Sequence, residues 1–103
     1  MSAVPEEVKA PLLKLDIGCG KNKKEGFHGV DSIAFDGVDT VFDVRSGKWP
    51  WDDASVEEVH ASHFLEHLDA QERVHFFNEL YRVMIPGGKA LIITPHWASN
   101  RAY

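Results

Sequence analysis

The chain has 103 residues, which is enough for one domain and above the size at which disulfides or metals are usually needed to support a core. Its 11 Lys and Arg residues against 16 Asp and Glu residues give a net charge of -5, which excludes a broad basic surface for nucleic acid. The single cysteine excludes an internal disulfide, and the longest apolar run is far too short to span a bilayer. We therefore expect a cytoplasmic chain without a membrane anchor.

Five short apolar runs rich in Val and Ile predict five β-strands. In chain order they are LLKLDI, FHGVDSI, VDTVFDV, VEEVHAS and KALIITP. Only nine residues, Gly18 to Gly26, separate the first run from Phe27, and about as few separate the second run from the third. Because a parallel crossover usually takes a dozen or more residues with a helix, we expect the first two crossover helices to be shortened or absent.

The clearest helix lies between the last two runs. Asp69 followed by Glu72 has the pattern of a capping box, and Pro86-Gly87-Gly88 stops the helix before a strand that begins at Lys89. Apolar residues recur between these signals at spacings of three and four, and we interpret them as a core stripe: Val74, Phe77, Leu80, Tyr81 and Met84. A strand, an amphipathic helix and a further strand predict a parallel βαβ unit.

The stretch LDIGCGKNKKEGFHGVDSI, residues 15–33, contains a strand that opens into the turn Gly18-Cys19-Gly20. Such a turn after a strand is where α/β sheets bind ligands, and glycine lets a ligand approach the backbone closely. The dinucleotide fingerprint is disfavoured, because Lys23 occupies the third glycine position and Asp31 lies only 13 residues beyond Gly18. No Gly-Lys-Ser/Thr follows at the P-loop spacing either. An acid that can accept two ribose hydroxyl hydrogen bonds, beside such a turn, predicts a nucleoside site.

From these residues onward the chain resembles the class I S-adenosylmethionine-dependent methyltransferases. LDIGCG is similar to the first motif of that family, and GVDSI to its second-strand motif. The later segments also resemble the family in order: VFDVRSGKWPWDDASVEEV, VHASHFLEHL and LYRVMIPGGKALIITP. The resemblance covers residues 12–95 and implies an α/β fold with a Rossmann-like, mostly parallel sheet of about five strands. It also implies one domain over residues 1–103 that uses S-adenosylmethionine as methyl donor, with S-adenosylhomocysteine as product.

The resemblance further implies where the cofactor binds. Asp31 corresponds to the acid that holds the ribose hydroxyls, and Ser32 follows it. Asp43 and Val44 correspond to the pair that meets the adenine. Contacts around the methionine end and the methyl group are expected from Asp16, Gly18, Cys19, Gly20, Ser62 and His63. His63 is the one candidate for a general base, and the sequence does not identify the methyl acceptor.

Alternatives stay open for some of these residues. Asp16 and Asp31 could serve only to cap exposed backbone N–H groups of the turns. HFLEH, residues 63–67, matches the H-x-x-E-H pattern in which two histidines bind zinc and Glu66 acts as base. A catalytic zinc needs a third protein ligand and a second shell, and LEHL occurs at this place in the methyltransferase pattern, so we expect no metal.

Two tryptophans, Trp49 and Trp51, flank Pro50 in a loop that, by the resemblance, passes close to the adenine. Aromatic residues beside proline most often cover a loop onto the core. We expect that role here, rather than direct contact with a ligand.

The chain stops just past the fifth strand, where the family continues into a further helix and an antiparallel pair of strands. We therefore expect a C-terminally truncated domain whose fifth strand is an exposed apolar edge, open to self-association as a homo-oligomer. Two function classes remain. The first is a methyltransferase, and the second is a module or fragment that binds S-adenosylmethionine without activity on its own.

Overall fold

The computed structural model describes residues 12–94, and the chain ends on which the expectation of truncation rests lie outside this range. Its elements, in chain order, are β1 (Leu13–Ile17), β2 (His28–Asp31), β3 (Thr40–Val41), β4 (Val56–Ser62), a 3-10 turn (Leu65–His67), α1 (Ala70–Val83) and β5 (Met84–Ile93). The strands form one sheet in the order β3-β2-β1-β4-β5, and every neighbouring pair is parallel. The predicted α/β fold with a Rossmann-like sheet of five strands is therefore confirmed.

Within residues 12–94, only the connection from β4 to β5 contains an α-helix. The chain passes from β1 to β2 and from β2 to β3 through turns, which confirms the shortened crossovers. Along the same residues, no helix has the length and apolar character needed to cross a membrane. A parallel sheet is usually covered by helices on both faces, so α1 leaves one face of this sheet to be stabilised in another way.

The sheet face opposite α1 carries a row of charged side chains. The strand register places Lys14 beside Glu58 and Glu58 beside Lys89, and Lys89 Nζ lies 3.6 Å from a carboxylate oxygen of Glu58. Neighbouring residues along each strand point to the opposite face, where Leu15 and Val59 are fully buried. β1 and β4 are therefore amphipathic, and the face opposite α1 carries a charged row beside which Leu91 also lies, in register with His60.

The core lies between the other face of the sheet and α1. It comprises Leu15, Ile17, Val30, Val44, Trp49, Val56, Val59, Ala61, Leu68, Phe76, Leu80 and Val83. Trp49 and Phe76 are its largest fully buried side chains, and their ring centres lie 5.3 Å apart in an edge-to-face arrangement. The expectation that Trp49 covers the core is confirmed, and Trp51 packs against the core while half-buried.

Residues close in the sequence determine where α1 begins and ends. Asp69 Oδ1 accepts a hydrogen bond from the Glu72 N–H at 2.8 Å, and Glu72 Oε1 accepts one from the Asp69 N–H at 3.0 Å, so the predicted capping box is confirmed. The helix ends at Val83, and β5 begins at Met84 rather than at the predicted Lys89. Pro86 disfavours helical backbone in the residue before it, which ends the helix earlier than the glycines would.

The interpretation of the α1 apolar stripe as core is wrong for three of its five residues. Val74 is 61% exposed, Phe77 45% and Tyr81 87%, whereas the buried residues of α1 are Phe76, Leu80 and Val83. Spacings of three and four describe two adjacent apolar faces of this helix equally well, and contact with Trp49 and the sheet selects the one that contains Phe76. The exposed face borders a groove of about 630 Å³ that Met84–Gly88 closes at one end.

This difference predicts unequal costs for two neighbouring substitutions. Phe76→Ala should lower the free energy of unfolding by about 3–5 kcal/mol, because it leaves a cavity in the core. Phe77→Ala, the matched control, should cost about 1 kcal/mol, since half of that ring is already in water. Urea unfolding measures both values. Equal losses would contradict the assignment of the buried face.

β5 lies at the edge of the sheet, as the sequence predicts. Among the strands of residues 12–94 it pairs with β4 alone, and Leu91 is 50% exposed on it. Unpaired N–H and C=O groups along such a strand form a template for a second strand. Self-association through this edge stays a prediction.

If the edge mediates self-association, sedimentation velocity should show a dimer whose fraction rises with protein concentration. Leu91→Lys should reduce that fraction about tenfold or more, because lysine is the residue that natural edge strands use against pairing. Ile33→Lys provides the control, since it adds the same charge at another residue that is 56% exposed. A wild-type chain that stays monomeric at high concentration would count against the prediction.

Candidate functional site

A cavity of about 340 Å³ lies at the carboxyl ends of β1, β2 and β4. In open parallel sheets this edge is where ligands bind. The cavity is lined by Ile17, Gly18, Val30, Asp31, Ser32, Phe42, Asp43, Val44, Arg45, His63, Phe64, His67 and Leu68. Most of the predicted site residues are among them, although they come from four separate stretches of the chain.

Four predicted site residues do not line the cavity. Cys19 and Gly20 lie in the turn behind it, Asp16 is buried beneath that turn, and Ser62 is half-buried at the end of β4. Contact of these four residues with a ligand stays a prediction.

The glycine turn is held against β2 and against the loop after β4. The N–H groups of Gly18 and Cys19 donate to the Val30 carbonyl at 2.8 and 3.3 Å. Gly18 has a φ of +71°, and a Cβ atom there would lie 2.8 Å from Cδ1 of Phe64. Glycine at this position therefore allows both the left-handed backbone and the close approach of the Phe64 ring.

Asp31 combines the two roles that the sequence leaves open. Its Oδ2 accepts a hydrogen bond from the Gly20 N–H at 2.8 Å, and its Oδ1 accepts one from the Ile33 N–H at 3.1 Å. The capping role is thus present. Each carboxylate oxygen can accept a second hydrogen bond, and Asp31 also lines the cavity. Capping and binding of hydroxyl groups are therefore compatible at this residue.

The Asp16 carboxylate is buried, and both of its oxygens contact other groups of the protein. Its side chain is 6% exposed, Oδ2 accepts from the Lys24 N–H at 2.7 Å, and Oδ1 lies 3.3 Å from His60 Nδ1. This geometry favours the capping alternative for Asp16, because Oδ2 holds the far end of the glycine turn and Oδ1 is engaged by His60 on β4. His60 carried no predicted role, and only the pairing of Asp16 with His60 across β1 and β4 brings the two together.

Cys19 is not a nucleophile in this setting. Burial raises the pKa of its thiol, and the negative charges of Asp16 and Asp31 raise it further. The thiol therefore stays protonated at neutral pH, and the residue serves as a small packing group behind the turn.

Asp43 and Arg45 form an ion pair at the rim of the cavity. Arg45 Nε donates to Asp43 Oδ1 at 2.9 Å and Nη2 donates to Oδ2 at 2.8 Å, while the Arg45 backbone N–H also donates to Oδ1 at 3.0 Å. The side-chain hydrogen bonds of Arg45 hold the pKa of Asp43 below its usual value. Asp43 is therefore ionised at neutral pH, with its carboxylate fixed in direction by its own turn.

The H-x-x-E-H segment does not form the helical arrangement that its zinc-binding counterparts use. His63 has a φ of +56°, and only a 3-10 turn follows it, so the two histidines are not one α-helical turn apart. Glu66 Oε2 lies 4.0 Å from His63 Nδ1 and 3.9 Å from His67 Nε2. Nowhere in residues 12–94 do three His, Cys, Asp or Glu side chains form a group that could hold a metal ion.

Sequence reasoning missed several residues of the cavity wall: Phe42, Arg45, Phe64, His67 and Leu68. A local signal existed only for Arg45, which lies two residues after Asp43 in a turn. Phe64, His67 and Leu68 reach the cavity because the loop after β4 packs against the glycine turn, and Phe42 reaches it from the start of the segment after β3. These contacts are not encoded in any short motif.

The chain was compared with known proteins. A family model described as a methyltransferase domain matches residues 36–92, which is more than half of the chain. No curated protein and no solved structure gives a significant match. The matched range contains Asp43, Val44, Ser62 and His63, and it begins after Asp31 and the glycine turn.

The packing of Phe64 against Gly18 predicts different outcomes for two glycines of the turn. Gly18→Ala should lower the free energy of unfolding by about 2–4 kcal/mol, because both backbone strain and overlap with Phe64 are added. Gly20→Ala is the matched control: its φ is +57°, but an added Cβ would meet nothing within 4 Å, so about 1–2 kcal/mol of backbone strain is expected. Urea unfolding compares them. Equal losses would mean that the Phe64 ring moves aside freely.

Proposed function

The chain belongs to the methyltransferase-domain family, and on that premise we propose that its cavity binds S-adenosylmethionine and that the protein transfers the methyl group to an acceptor. The observation that carries this proposal is the cavity at the carboxyl ends of β1, β2 and β4. It brings together Gly18, Asp31 and the Asp43–Val44 pair from three loops.

Different parts of the cavity wall suit different parts of S-adenosylmethionine. Asp31 offers free acceptor positions to the two hydroxyl groups of a ribose. Asp43 and Val44 lie on the wall expected to meet the adenine, and Val44 is almost fully buried there. Gly18 lines the cavity on the side expected to meet the methionine part. The Asp31 carboxylate also complements the positive charge of a sulfonium, whereas the charge of Asp43 is balanced by Arg45.

Bound S-adenosylmethionine supplies an electrophilic methyl carbon, which an acceptor lone pair attacks as the electrons of the carbon–sulfur bond pass to sulfur. The contribution of the protein is then to hold the two reactants in line and to exclude water. His63 lines the cavity at its exposed mouth and is the candidate to accept a proton from the acceptor. Its left-handed backbone is fixed by a hydrogen bond from its N–H to the Ile93 carbonyl, at 2.6 Å.

A second candidate function is binding without turnover. The cavity volume of about 340 Å³ is at the lower end of the range for small-molecule sites, which leaves little room for an acceptor beside the cofactor. A domain that holds S-adenosylmethionine while a partner supplies the acceptor site would have this geometry. The two candidates share the cofactor site and differ in whether the isolated chain releases S-adenosylhomocysteine.

Calorimetric titration with S-adenosylmethionine and S-adenosylhomocysteine tests the proposal, with NAD as the control ligand. We expect saturable binding of the first two and none of NAD. Asp31→Asn should weaken binding about 10- to 100-fold, because the charge that strengthens the ribose hydrogen bonds is lost while an acceptor for the turn remains. Asp36→Asn, at an exposed aspartate outside the cavity wall, should bind as the wild type does.

A well-folded wild-type chain that binds neither ligand would overturn the proposal. Equal affinity of Asp31→Asn and wild type would instead remove Asp31 from the site.

A further inference from the structure

The segment between β3 and β4, residues 42–55, forms one wall of the cavity without any helix or strand. Phe42, Asp43, Val44 and Arg45 from its first part all line the cavity. An irregular segment keeps a defined shape only if its backbone polar groups have fixed partners. The structure shows such partners, and they converge on Trp49.

Trp49 is 1% exposed and lies beneath α1. Its ring is 5.3 Å from that of Phe76 and 5.9 Å from that of Trp51, in edge-to-face arrangements. Its indole Nε1–H donates a hydrogen bond of 3.0 Å to the Val44 carbonyl. A buried tryptophan N–H needs an acceptor, and here that acceptor belongs to the cavity wall.

The backbone of Trp49 is held by α1. Its N–H donates to Glu79 Oε1 at 2.8 Å, and its carbonyl accepts from Arg82 Nη2 at 3.0 Å. Arg82 also donates to the Trp51 carbonyl at 3.0 Å and to Glu79 at 2.8 Å. Hydrogen bonds from Arg82 hold the pKa of Glu79 below its usual value, so this acceptor is ionised at neutral pH. The indole is thus fixed in position from two sides.

The Val44 carbonyl and the Arg45 N–H belong to one planar peptide group, in which they point in opposite directions. Trp49 fixes the carbonyl end of this group. The N–H end donates to Asp43 Oδ1 at 3.0 Å. The indole N–H of Trp49 is therefore coupled to the Asp43 carboxylate through a single rigid peptide, and the Arg45 guanidinium holds the same carboxylate with two further hydrogen bonds.

We propose that Trp49 is a positioning residue for nucleobase recognition: it sets the peptide after Val44, and through that peptide the Asp43 carboxylate, on the wall that meets the base. This inference rests on the proposed function, because it takes the base to lie against Asp43 and Val44. Trp49 itself lies behind that wall and does not touch the ligand.

Trp49→Phe tests the proposal, with Trp51→Phe as the matched control in the same loop. Calorimetry would measure the affinity of each protein for S-adenosylhomocysteine and for its deaminated inosine counterpart. Wild type and Trp51→Phe should prefer the adenine compound, and Trp49→Phe should lose about tenfold of that preference. The preference is a ratio within one protein, so a general loss of stability cancels. An unchanged preference in Trp49→Phe would overturn the proposal.

A measurement on the unmodified chain covers the case in which Trp49→Phe does not fold. The chain has three tryptophans, and their indole N–H signals, recorded by nuclear magnetic resonance, can be assigned with Trp51→Phe and Trp97→Phe as references. The Trp49 signal should shift on addition of S-adenosylhomocysteine and shift much less with the inosine counterpart. Equal shifts would overturn the role of Trp49. Failure of the wild type to bind either compound would instead overturn the proposed function.

Discussion

The burial of Trp49 against Phe76 is the contact on which the rest of the described structure depends. α1 covers one face of the sheet, and this aromatic pair joins it to the segment before β4. Arg82 strengthens the same junction, because its guanidinium binds two loop carbonyls and two carboxylates at once. The cavity wall at Val44 is attached to this junction through the indole N–H. The shape of the site in this small domain therefore depends on the packing of the core.

Among residues 12–94, α1 covers one face of the sheet, and polar side chains of β1, β4 and β5 lie on the other. A charged row crosses β1, β4 and β5, and the Asp16–His60 pair lies on the neighbouring row. Such side chains let strands of a parallel sheet face water, although parallel strands are usually apolar on both sides. The same arrangement explains the short loops, since no crossover helix has to cover this face. It also leaves Asp16 to support the glycine turn from below.

The sequence predicts part of the site. Residues that local signals identify are predicted, and residues whose role depends on contacts distant in the sequence are not. Gly18 and Asp31 are predictable because a turn after a strand and an acid after the next strand are local signals, and both residues line the cavity. Asp16 shows the limit of the same reasoning, since its partner His60 is 44 residues away and carries no local signal. The contact of Phe64 with the glycine turn and the hydrogen bond of Trp49 to the cavity wall are equally unpredictable from the sequence. Both depend on which loop folds over which element, and no spacing in the sequence states this.

The sequence by itself determined the order of strands and helix along the chain, the capping box at Asp69 and the glycine turn. These features depend on residues a few positions apart, where backbone sterics and local hydrogen bonds decide the outcome. Only the tertiary structure decided which face of α1 is buried, because Phe76 and Phe77 are equally apolar and only one of them meets Trp49. It also decided that the wall of the cavity is held from beneath by an indole. Long-range packing selects among local patterns that are equally good, and the free energy that selects them comes from contacts between distant residues.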